Sequence, residues 1–163
     1  MKNTAVILTL ALGICGVVSK AAADTFWKEV RGWRIAHSDE YVGCVASAKY
    51  RDGTLVRIGF DGIIRKPFLN FSNSKWSSYP TGRTYEITFD TGRSGRFAGF
   101  FHTLLREGVL TFENGGLNDK FLDAVAGAAS LNVRSENTLL TGLVLDGSRA
   151  ALNETQVCQS QFQ

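Results

Sequence analysis

The chain has 163 residues, with 18 Lys and Arg against 15 Asp and Glu, and 44% of its residues are hydrophobic. That length suits one ordinary domain with a real core, and the near balance of charge gives no reason to expect nucleic acid as a partner. Beyond the first twenty residues no apolar stretch approaches transmembrane length, which excludes an integral anchor in the remainder.

Met1-Lys2-Asn3 opens with a positive charge, and Ala5 to Val18 follows as an apolar run. Ala21 and Ala23 are the small residues a signal peptidase needs before a cut after Ala23. Residues 1–23 are therefore expected to be a cleavable signal peptide, and 24–163 a single globular domain, periplasmic or secreted. Cys15 leaves with the signal; Ile14 before it is not the small residue that lipidation usually wants. Without Lys2 and Lys20, sixteen bases face fifteen acids, a net charge of +1.

Export leaves Cys44 and Cys158 in an oxidising compartment, where one internal pairing is open to them. Closing so long a loop is worth about 4–5 kcal/mol before native strain is subtracted.

Short β-branched and aromatic runs alternate with Gly turns from there on. Strands are predicted at Gly32 to His37, Val42 to Tyr50, Thr54 to Phe60 and Ile63 to Phe71, with Asp52-Gly53 and Asp61-Gly62 as hairpin turns. The segment Ser72 to Gly82 reads as irregular. Arg83 to Asp90 alternates, with Tyr85, Ile87 and Phe89 on one face. Ser94 to Phe101 and Gly108 to Phe112 follow as strands. Residues 117–131 carry Leu117, Phe121, Ala124, Val125 and Ala128 at helical spacing. Thr138 to Leu145 reads as a buried strand. Ser148 then serves as expected N-cap of a helix near 148–158, which a Cys44–Cys158 bridge would pin to an early strand. The predicted class is α+β, mainly antiparallel β, curled into a sandwich or partial barrel.

No catalytic, cofactor or metal motif stands out. His37 and His102 lack partners at metal-ligand spacing, and there is no GxSxG elbow. Gly92, Gly95 and Gly99 lie in a hairpin pattern rather than a phosphate loop. Asp39/Glu40 and Glu86/Asp90 are acid pairs explained by solvent exposure. A small hydrolase built on either histidine is therefore the weakest of three readings.

Charge is the stronger signal. Residues 49–106 hold ten bases and four acids, whereas 107–163 hold three bases and seven acids. The aromatic segment Pro67 to Tyr85 lies within the basic stretch. Arg65, Lys66, Trp76, Tyr79 and Arg83 are the candidate binding residues, suited to an envelope protein or an anionic glycolipid or polymer. Trp76 fits a contact residue by type, but a place in the core is the favoured reading.

The end of the chain, Leu143-Val144-Leu145-Asp146-Gly147-Ser148-Arg149-Ala150-Ala151-Leu152 closing on Cys158, resembles the tail of invasion-associated locus B proteins. Upstream, the additional cysteines of that family have no counterpart. The resemblance implies a small, non-enzymatic, β-rich envelope domain. The leading expectation is a non-catalytic periplasmic or secreted binding or accessory protein of the bacterial envelope. The alternative is an inhibitor or immunity-type protein of an envelope hydrolase.

Overall fold

A computed structural model describes residues 24–162 apart from 64, 65, 93, 94, 107, 108, 116, 118 and 137. The expected signal segment with Cys15 lies outside the described residues, as does Arg65. The strands are β1 (Thr25–Val30), β2 (Trp33–Ser38), β3 (Gly43–Lys49), β4 (Leu55–Asp61), β5 (Lys66–Ser72), β6 (Thr84–Asp90), β7 (Arg96–Arg106), β8 (Val109–Gly115), β9 (Ser130–Ser135) and β10 (Thr138–Val144). Two helices, α1 (Asp119–Gly127) and α2 (Ser148–Gln161), complete the fold. All strand pairs are antiparallel, in one sheet of order β1-β2-β3-β4-β5-β8-β7-β6-β9-β10.

The sheet curls without closing. Thr141 of β10 donates its hydroxyl to Asp52 Oδ2 in the β3–β4 turn at 2.8 Å. Trp33 Nε1 on β2 donates to the Asp146 carbonyl just after β10 at 3.1 Å. Both halves of the sheet therefore share one core, from Ile35, Cys44 and Ile58 to Leu131, Val133 and Leu143. Phe71 lies at its aromatic centre, stacked on Phe112 at 5.3 Å and set against Phe89 and Phe101 at 6.1 and 5.4 Å.

α2 covers the inner face of β2 and β3, and touches α1. Ser148, Ala151, Leu152, Thr155 and Cys158 are its buried residues, and the repeat of three and four from Ser148 through Ala151 or Leu152 and Thr155 to Cys158 puts them on one stripe. The expected bridge is present: Cys44 and Cys158 are disulfide-bonded with Cα atoms 6.0 Å apart, and both are fully buried. Beside it, Gln159 Oε1 accepts from the Cys44 amide at 2.7 Å. Edge strand β1 hangs on the same helix. Glu154 accepts from Trp27 Nε1 at 3.1 Å and Lys28 Nζ at 3.0 Å, and these bonds hold its carboxyl below the usual range.

Several sequence expectations shift. Helix α1 stops at Gly127, because Leu131 and Val133 alternate as a strand that fills the slot between β6 and β10. Spacing of four is shared by both periodicities over so short a stretch. Strand β10 is an edge rather than a buried strand, with Leu139 and Val144 half or more exposed. Gly147, not Ser148, is the cap of α2. It adopts φ +80°, and the Ser148 hydroxyl turns inward to the Val125 carbonyl at 3.4 Å. Val42 begins no strand; it has φ +47° and is exposed, so the strand starts one residue later. At Gly59 the strands approach so closely that a Cβ would lie 2.4 Å from the Cys44 carbonyl oxygen.

The double variant Cys44→Ala/Cys158→Ala is expected to lose about 4–5 kcal/mol of stability, less any native strain released. Urea unfolding of the oxidised wild type and the variant measures this, and equal midpoints would contradict it.

Candidate functional site

One end of the sheet is built by turns with strong local reasons to form. Between β3 and β4, Gly53 takes φ +93° and donates its amide to the Tyr50 carbonyl at 3.0 Å. Asp52 accepts from the Thr54 amide at 2.9 Å and from the Thr54 and Thr141 hydroxyls at 2.8 Å each. Burial alone would raise this carboxyl. The three hydrogen bonds, with Lys75 nearby, outweigh burial and hold it below the usual carboxylate range. Tyr50 at the foot of the turn has its phenol pushed up to about 12 by burial.

The segment between β5 and β6 is tied across this end. Buried Asn73 donates its Nδ2 to Thr54 Oγ1 at 2.9 Å, and its Oδ1 accepts from the Lys75 amide at 2.9 Å. A 3-10 turn, Ser74–Trp76, follows. Farther along, Thr103 of β7 donates its hydroxyl to the Pro80 carbonyl at 2.7 Å and accepts from the Arg83 amide at 3.0 Å. The segment thus bridges from the β3–β4 turn to β7.

Cross-strand register places Lys49, Leu55, Ser72, Thr111 and Leu104 in one row. Four strand intervals of about 4.8 Å make this row roughly 19 Å long. Lys49 projects from it, and Arg51, Lys75 and Arg83 leave the adjoining turns. All four side chains are exposed. Arg83 and Tyr79 were among the candidates read from the sequence; Lys49, Arg51 and Lys75 were not singled out. The Asp52-Gly53 turn signal beside Arg51 was the available clue.

The other candidates fall elsewhere. Lys66 lies at the opposite end of β5, paired in register with Asp61. Six residues of strand, about 20 Å, separate it from the row. Trp76 is a core residue: it is 6% exposed and sits edge-on to Phe71 and Phe112 at 5.7 and 5.6 Å. Being in a polar segment did not make it a surface residue, because the 3-10 turn rolls its ring inward. Tyr79 is half-buried, set edge-on to Tyr85 and Phe112.

The histidines are far apart in role. His37 stacks on Phe162 at 4.3 Å, with Asp39 at 3.8 Å. His102 is exposed, its Nδ1 2.9 Å from the Thr84 hydroxyl. Among the described residues no group of three His, Cys, Asp or Glu could hold a metal ion. On the outer face, Tyr41 stacks on Phe68 at 4.2 Å. Burial, then the Glu113 charge, push its phenol up to about 12 against the opposing Asn70 hydrogen bond and the Arg57 charge. A cavity of about 580 Å³ lies between the end of α1 and the start of α2, but there Arg31 stands 3.7 Å from Asp146.

No family model matches the chain, and no curated protein does. Among solved structures, the fold is that of invasion associated protein b from Bartonella henselae. The match has a TM-score of 0.59 and 10% identity, and covers 82% of this chain and 97% of that one. At that identity the likeness establishes the architecture alone.

Trp76→Ala is expected to cost about 3–5 kcal/mol as a large core truncation, and Arg83→Ala less than about 0.5 kcal/mol. Denaturant titration of the two variants checks this; equal losses would place Arg83 in the core's support. Asp52 also predicts a pH dependence. Its carboxyl is depressed in the folded state, so its stabilisation is full above the unfolded value of about 3.9 and is lost as pH falls through the folded value. Asp52→Asn should therefore be less stable than wild type at pH 7, with the gap closing below about pH 4. A pH-independent gap in unfolding midpoints would contradict it.

Proposed function

We propose that this protein is a non-catalytic accessory protein of a bacterial envelope, periplasmic or secreted, that binds an anionic partner at the basic end of its sheet. Support comes from a buried disulfide, which suits an oxidising compartment. The architecture shared with invasion associated protein b is a second support. Among the described residues no helix is long and apolar enough to cross a membrane.

The observation that carries the reading is the gathering of exposed Lys49, Arg51, Lys75 and Arg83 on adjoining turns. The carboxylate set among them, Asp52, already accepts three hydrogen bonds within the protein. Its charge is partly spent on holding the turn, and the cations are left facing solvent. Such a cluster attracts an anionic surface or polymer with a strength that falls as salt screens it.

Retention on immobilised heparin, a generic polyanion, tests the reading. Wild type should elute at raised salt. Arg51→Ala/Lys75→Ala/Arg83→Ala should elute at markedly lower salt, with its unfolding midpoint little changed. Lys66→Ala, at the other end of β5, should elute close to wild type. Absence of retention, or retention insensitive to both salt and the triple substitution, would refute it.

A further inference from the structure

We propose that the anionic partner is the surface of a lipid bilayer, engaged by the cations together with an apolar patch at Leu105; this rests on the proposed function above. Leu105, one residue before the end of β7, has 63% of its surface exposed, and its neighbour Leu104 is 36% exposed. Leu105 also walls a cleft of about 290 Å³ with Tyr79, Pro80, Val109 and Leu110. Ser74 and Ser77 line the same cleft from either side of Lys75 and Trp76. The β5–β6 segment therefore carries both Lys75 and Arg83 and one wall of the apolar cleft.

Two properties of this arrangement favour a bilayer over a dissolved polyanion. A polyanion rewards positive charge and gives nothing back for exposed leucine. A bilayer interface rewards both, since apolar side chains enter the acyl boundary while Lys and Arg meet anionic headgroups. The end of the sheet that carries the cations is five strands wide, roughly 19 Å from β3 to β7 and wider than one headgroup, so an array of headgroups matches it better than a single small ligand. The Thr103 bonds to Pro80 and Arg83 tie the segment that carries the cations to β7, the strand that carries Leu105.

Vesicle co-sedimentation tests this, using phosphatidylcholine alone and phosphatidylcholine mixed with phosphatidylglycerol, at low and high salt. Wild type should bind the mixed vesicles at low salt and neither kind at high salt. Leu105→Ser, an exposed position that leaves the core intact, should bind the mixed vesicles about tenfold more weakly. Leu105 bears no charge, so the same variant should elute from heparin with wild type. Near-ultraviolet circular dichroism confirms that it is folded. Leu105→Ser binding mixed vesicles as tightly as wild type would overturn the inference. So would wild type that is retained on heparin yet ignores vesicles, and in that case the broader anionic reading would stand. Failure on both heparin and vesicles would remove both.

Discussion

The bond between Cys44 and Cys158 holds α2 against the inner face of β2 and β3, and much of the architecture follows from that placement. A sheet that curls but does not close leaves inner-face residues near its first edge without a facing strand. Helix α2 supplies the missing surface through Ala151, Leu152 and Thr155. Its outer side then serves as a mooring for β1, through Glu154 to Trp27 and Lys28, and Phe162 just past its end sets its ring edge-on to Trp27. The bridge acts chiefly by limiting the unfolded chain, whose two cysteines would otherwise be separated by 114 positions. Small alanines at 46 and 151, both fully buried, let helix and sheet approach closely.

The basic end stands at the opposite level of organisation, in hydrogen bonds made by short polar side chains. Asp52, Thr54, Asn73 and Thr103 bind main-chain groups or one another across turns. Asn73 and Thr54 are buried, so their polar groups have to be satisfied inside the protein, and each is. The result is a rigid base under charged residues that themselves make few fixed contacts. Lys49, Arg51, Lys75 and Arg83 so placed keep their charge available, since among the described residues none of them is in an ion pair. The two sheet edges are treated differently. Strand β1 carries Lys28 and Glu29, which discourage pairing with another strand. Strand β10 carries no charge, and its register shift between Leu139 and Thr141 breaks the regular edge.

Much of the fold was legible because its causes are local. Tyr85, Ile87 and Phe89 alternate on β6 and point inward as that pattern requires. Asp52-Gly53 turns the chain between β3 and β4 as the dipeptide predicts. The boundary at Gly127 was not legible, since Ala128 and Ala129 favour continuing the helix and only the gap between β6 and β10 selects a strand for Leu131. Strand β1 was missed for a related reason: most of its face is exposed, so it lacks the buried alternation that marks a strand in sequence. At the candidate site, an excess of bases in residues 49–106 was plain, but their grouping was not. Lys66 and Arg83 are close in sequence and end up at opposite ends of the sheet, whereas Arg51 and Arg83 are remote in sequence and leave turns at the same end.

The amino-acid sequence by itself determined the strand-rich class, the positions of the tight turns and which two cysteines could pair, because each depends on periodicity, on backbone preference or on simple counting. The tertiary structure decided where charge gathers, that Trp76 belongs to the core and that Leu105 stays in water. Those outcomes depend on strand order and register, and register arises only when distant segments compete to bury their apolar faces in the same interior.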